Sequence, residues 1–408
     1  PQKYINEMAE RIAAGEVKTV LLAGSEAIKT AQTAMRNDIM LDWKEEFEGS
    51  QEDRGLGEKL MTPHEFAHGV GIPIQTYPLF ENALRHHKGL DIEEHMMQMG
   101  SVFENFSRVA AANPYSFYGT ARTAAQLATV TKENRFISFP YPKWMNAMDA
   151  VNQGAAVIMT SVGKARDLGI DPAKWVFLHG CAEANEKLMV MDRVNYYSAP
   201  AIGVNCKHAF AMAGISLDDI NYFDFYSCFP SAVELACEEL GLAYDDPRGL
   251  TVTGGLPFFG GPGNNYSMHA IATMLPKLRT NPRHYGCVTA NGGYLSKHAT
   301  GIYSAKPVEG KWEREKPSAY QGEIDALASP EFIETPNGAA TIETYTVCFA
   351  RGIPEKGIVI GRLADTNQRF IANTPTDIDL LLSMTKSEQI GRSGTVKSVE
   401  GMNHFIPA

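Results

Sequence analysis

No C-x-x-C pair occurs in this chain of 408 residues. The six cysteines, Cys181, Cys206, Cys228, Cys237, Cys287 and Cys348, are scattered through apolar stretches. That spacing argues against a zinc clasp or a redox dithiol and fits reduced core thiols in the cytoplasm. Long apolar runs are missing too: none approaches the ~20 residues of a membrane span, so no membrane partner is expected. Positive charge is in deficit. A net charge of -10 repels phosphate backbones, so nucleic acid is not expected as a partner. No repeat at the short periods of solenoids and no signal peptide is visible. The opening, PQKYINEMAERIAAGE, has no starting Met and reads as a helix already under way, as if the chain began in mid-domain.

What is present is a soluble globular composition, 44% hydrophobic and 21% charged, long enough for two or three domains. Tyr4, Ile5, Met8, Ile12 and Ala13 mark an apolar stripe on a helix from Gln2 to Ala14, stopped by Gly15. A strand over Lys18–Ala27 follows. Residues 37–134 read as a polar, insert-like region with helical patterns, including the segment GSQEDRGLGEK. From Arg135 strands and helices alternate, the signature of α/β layering. Tyr196–Gly214 reads as a helix, and YFDFYSCF as a strand. Residues 306–331 are rich in Lys, Glu, Pro and Ser and read as a linker. Beyond it, five strands with one helix before the last pair predict an OB-like β-barrel at 332–408.

Four motifs are candidates for chemistry. HEFAH, His64–His68, matches the H-E-x-x-H zinc pattern, with His86, His87 and His95 as distant further ligands. Thr62, Pro63 and Glu65 also make TPHE a capping box, so no metal site is expected and Glu65→Ala should cost about 1 kcal/mol or less. GGLPFFGGPGNNYSMH is a glycine-dense entry to a helix, where backbone can approach a ligand; Gly260, Gly261, Gly263 and Asn264 are the candidate binding residues. FYSCF is expected at the C-terminal end of a strand, with Tyr226 and Cys228 on one face and Ser227 on the other. TANGGYLSKHATG offers Tyr294 and His298 beside a glycine pair.

These segments resemble a known family. GGLPFFGGP is similar to the G-G-x-x-x-x-G-H-P loop of thiolases, and YSCF to the H-D-C-F segment of sterol-carrier-protein thiolases. NGGYLSKHATG resembles the closing C-x-G-G strand segment. The likeness runs from residue 1 to about Ser304, and the barrel resembles the additional C-terminal domain of thiolase-like proteins of type 1. The resemblance implies a layered αβαβα core with a helical loop insertion. Residues 1–134 would be a partial N-terminal half and 135–305 the C-terminal half. It implies acyl-CoA or CoA as the partner, with coenzyme A part of the substrate and no separate cofactor. A homodimer, or a partner chain supplying an N-terminal segment, is also implied.

The departures bear on chemistry. The family's nucleophilic Cys would fall just before Pro1. The His of G-H-P falls on Gly261, the second Cys on Ala290, and the H-D pair on Tyr226 and Ser227. Cys228 alone stands at a family thiol position. The leading expectation is an acetyl-CoA acetyltransferase-like, acyl-CoA-binding protein of lipid metabolism with most thiolase positions missing. A retro-aldolase using Tyr226 as base, with N–H groups near Gly261 holding the thioester oxygen, is one alternative. A non-catalytic CoA scaffold is another, and an H-E-x-x-H protease a remote one.

Overall fold

The computed structural model describes residues 1–46, 48–49 and 59–408, so most of GSQEDRGLGEK lies outside the described residues. Helix α1 (Gln2–Ala13) leads to β1 (Thr19–Glu26) and α2 (Ile28–Arg36). Then come α3 (Pro63–Ala67), α4 (Pro73–His87), α5 (Ile92–Ala112) and α6 (Ala124–Ala128). The short hairpin β2 (Phe136–Ser138) and β3 (Tyr141–Pro142) precedes β4 (Gln153–Thr160), α7 (Val162–Asp167) and β5 (Phe177–Asn185). Next are α8 (Pro200–Ala213), β6 (Ile220–Asp224), α9 (Pro230–Leu240), α10 (Tyr266–Thr280), β7 (Tyr285–Gly292) and β8 (Lys297–Ser304). Helix α11 (Gln321–Asp325) precedes β9 (Asn337–Ala350), β10 (Ile353–Leu363), β11 (Arg369–Asn373), α12 (Ile378–Met384), β12 (Ser393–Val399) and β13 (Met402–Pro407).

The layering is thiolase-like. A four-stranded sheet runs in the order β5-β8-β7-β6, with β6 and β7 parallel and the other pairs antiparallel. Helix α8 packs on β5 and β8. Helices α1 and α10 lie between this sheet and the antiparallel pair β1-β4. An apolar cluster including Ile5, Val157, Ile271, Met274 and Val288 fills that gap. The outer face of β1-β4 is open, with Leu21 65% and Ile158 72% exposed.

Strands β9 to β13 close a five-stranded barrel through the pairings β9-β10, β10-β11, β11-β13, β13-β12 and β12-β9. Its own core includes Tyr345, Val347, Val359, Phe370 and Phe405. Strand β2 extends this sheet through Ser138 opposite Cys348, so it joins the barrel rather than the layered domain.

Several expectations change. Of the apolar stripe on α1 only Ile5 is buried, beside Gln2 and Asn6; Tyr4 and Ala13 are exposed. A helix between two sheets buries what the sheets can satisfy. Gln2 accepts from the Tyr303 hydroxyl, and Asn6 donates to Ala182 O and Glu183. The insert-like region is not peripheral: every residue of α4 from 76 to 85 is buried. The helix read from Tyr196 starts at Pro200, whose ring suits the first helical turn. Residues 306–331 do not hang free. Trp312 donates to Leu178 O, Arg314 pairs with Glu10 and Glu183, and Tyr320 and Ile324 join the main core.

The H-E-x-x-H segment is a capping box. Thr62 accepts from Glu65 N and Glu65 from Thr62 N. The second Glu65 oxygen accepts from Met191 N, in full burial, so this carboxylate does more than cap. His68 accepts from Asn403 N and sits beside His64 in tying α3 to the barrel.

Candidate functional site

Strand β6 stops at Asp224, short of FYSCF. The buried Asp224 carboxylate gathers Val252 N, Thr253 N, the Thr251 and Thr253 hydroxyls and the Tyr266 hydroxyl, which turns the chain. Tyr226, Ser227 and Cys228 therefore lie in a turn before α9, and the strand alternation expected for them does not apply. Across the sheet, Leu295 at φ +54° closes the β7-β8 hairpin. Asn291 and His298 face each other at its end.

Turn and hairpin border a small cleft. Tyr226, Thr289, Asn291 and His298 line it, with Asn205 and Thr300 behind and Ala232 and Ala236 of α9 on one wall. Tyr226 N donates to Thr289 Oγ1 at 2.9 Å. The Tyr226 ring meets Tyr266 edge-on at 5.5 Å. His298 Nε2 lies 3.1 Å from Leu295 O; burial lowers its pKa to about 4, so the ring is neutral at pH 7.

The other candidates point elsewhere. Cys228 is 7% exposed; burial pushes its thiol up to about 12, with a smaller opposing effect from the Tyr77 hydroxyl. At pH 7 that leaves ~10⁻⁵ of it as thiolate. The Tyr294 hydroxyl donates to Gly71 O, away from the cleft. Burial raises the Tyr226 phenol, and Cys228 raises it further, the reverse of the lowering that a base needs.

The glycine loop does not line the cleft either. The Gly261 N–H donates to Met148 O, so it is not free for a thioester oxygen. Gly260, at φ +125°, leaves room for Gln153, whose amide donates to Phe259 O. Gly263 and Asn264 are exposed at the entry to α10. The close approach that these glycines allow is to the protein itself.

Sequence reading missed Tyr77. Its hydroxyl donates to Gly293 O at 3.2 Å and accepts from Leu295 N at 3.2 Å and Asn291 Nδ2 at 2.9 Å. One phenol from α4 thus holds the hairpin that carries His298. Helical periodicity marks Tyr77 only as a core residue, and no local motif announces the contact.

A solved SCP2-thiolase-like protein type 1 from Mycobacterium smegmatis, described as monomeric, is 40% identical. The match covers 100% of this chain and 82% of that one, with a TM-score of 0.87. The chain belongs to the SCP2-thiolase-like protein type 1 family. Residues 320–401 match the thiolase-like protein type 1 additional C-terminal domain. The dimeric peroxisomal thiolase of Saccharomyces cerevisiae shares the fold, with a TM-score of 0.53 at 13% identity over 75% of this chain and 74% of that one. No curated protein matches. Among the described residues, no helix of this type 1 protein is long and apolar enough to cross a membrane.

Proposed function

We propose that this chain binds the acyl end of a coenzyme A thioester in the Tyr226–His298 cleft and does not transfer the acyl group. The observation that carries the reading is the chemistry of that cleft. It offers a neutral imidazole, a protonated phenol and small apolar residues, while the nearby Cys228 thiol is held at about 12. Such walls hydrogen-bond a thioester and pack against a short chain, but they supply no thiolate for acyl transfer.

Calorimetric titration with acetyl-CoA, acetoacetyl-CoA and free CoA tests this. Saturable binding of a thioester, weakened about tenfold by His298→Phe, is expected, together with thiolysis of acetoacetyl-CoA at background. Robust thiolysis that survives Cys228→Ala overturns the reading. The monomeric state described for the M. smegmatis protein is carried over as part of the proposal and is checked by light scattering. A retro-aldol activity would need Tyr226 as an ionised base, and its buried phenol supports the binding role instead.

A further inference from the structure

Away from the cleft, Glu81 of α4, His95 of α5 and Glu234 of α9 meet between three helices, each at least 99% buried. His95 Nε2 lies 2.6 Å from Glu81 Oε1 and 4.0 Å from Glu234 Oε2. One donor atom from each residue lies within 4.8 Å of the other two. The Tyr141 hydroxyl donates to the second Glu81 oxygen at 2.6 Å and touches Ser231 Oγ at 2.8 Å. Neither oxygen of Glu234 finds a hydrogen-bond donor among the described residues, and nor does His95 Nδ1 find a partner.

The nearest cationic side chains are committed elsewhere. Arg85 reaches Leu90 O and Glu388, and Lys88 reaches Glu238 and Tyr244. His95 is the one group of the three that can carry positive charge, and two ionised carboxylates beside it in a dry interior cost several kcal/mol per ion, so the cluster calls for a neutralising partner. A divalent cation neutralises both carboxylates outright. One imidazole nitrogen and two carboxylate oxygens suit the zinc, manganese and iron(II) class and are too few oxygens for calcium. Metal–ligand bonds of about 2.0–2.2 Å separate neighbouring ligand atoms by roughly 3–3.5 Å. To reach that range the Glu81–His95 contact must open, and the His95–Glu234 contact close, by roughly 0.5–1 Å each.

We propose that Glu81, His95 and Glu234 hold one divalent transition-metal cation. Helix α4 carries Tyr77, and Ala232 and Ala236 of α9 line the cleft, so the ion would pin two supports of the binding site. Tyr141 orients Glu81 from outside the ligand set. His95 Nδ1 has no such partner, which weakens the site by an order of ten- to a hundredfold relative to a fully buttressed one.

The test uses the whole chain, refolded from denaturant with Zn²⁺, Mn²⁺ or Co²⁺ alone and then dialysed. One metal per chain by elemental analysis is expected, with a raised melting temperature and a cobalt absorption band. Glu234→Gln and His95→Gln should each lower metal affinity by more than 100-fold, beyond what loss of an outer partner costs. Retention of the circular dichroism spectrum shows that the variants fold. Two results overturn the proposal. One is no bound metal and no thermal shift, the behaviour of carboxyls neutralised by protons. The other is bound metal that survives both variants but is lost in His64→Ala/His68→Ala.

Discussion

Two glycine-rich segments look alike in sequence and behave differently in the fold. Residues 254–263 and the hairpin turn at 292–296 both combine small residues with positive φ. In the first, backbone comes close to protein. A Cβ on Gly254 would stand 2.5 Å from Ala110 Cα of α5, and one on Gly260 would strike Gln153. In the second, the turn sets Asn291 and His298 at the mouth of a cleft, with Tyr77 as its strut. Glycine density reports that something approaches the backbone. Whether that is a ligand or another helix depends on what the rest of the chain delivers there.

The sharpest way to break this comparison is Gly254→Val. Its φ of +112° and the Ala110 backbone leave no room for a side chain, so a loss of about 4 kcal/mol is expected from strain and overpacking. Urea denaturation measures it. A variant as stable as the parent would mean that the first segment is no packing joint.

Next in size is acid sensitivity. His269, beside Phe259 on the glycine-loop side, and His298 on the hairpin side are each held near a pKa of about 4 by burial, against 6.5 in the unfolded chain. Between those values the unfolded state takes up the proton first. Their stabilising share is therefore complete above about pH 6.5 and lost as pH falls to about 4, roughly 3 kcal/mol for each. Unfolding curves at pH 7, 5.5 and 4 should show the drop. His269→Gln and His298→Gln should each flatten it, but only the second should alter thioester binding.

Tyr77→Phe probes the strut. It leaves Leu295 N and Asn291 Nδ2 without their acceptor, at a cost of about 1–3 kcal/mol, and weakens ligand binding while the glycine loop is untouched. Binding unchanged by this variant would detach the hairpin from the site. The smallest effect belongs to Asn264→Ala. The residue is exposed and outside the cleft, so stability should change by less than about 0.5 kcal/mol and binding not at all. A loss of binding there would return the glycine loop to the site.

The fold was legible wherever local patterning and global packing agree. The five strands with a helix before the last pair close into a barrel, and Leu381 and Met384 of that helix join its core. Helix α9 ends at Gly241 and α8 at Gly214, both left-handed, as glycine stops should. The candidate site was legible only in part. Tyr226 and His298 both line the cleft; Cys228, Tyr294 and the loop from Gly260 to Asn264 do not. The turn that displaces Cys228 is set by Asp224 reaching residues 251–253, a contact that no local window contains.

By itself the sequence determined the alternation of strands and helices, the barrel, the TPHE cap and the family likeness. All of these rest on neighbours within a few residues or on the order of segments. Tertiary structure decided the protonation states and the meeting points. A phenol, a thiol and an imidazole have ordinary pKa values in an extended chain, and burial moved Tyr226 and Cys228 up and His298 down. Glu81, His95 and Glu234 carry no shared motif and come from three separate helices. Only packing those helices together removes their water and brings the three side chains into one buried cluster.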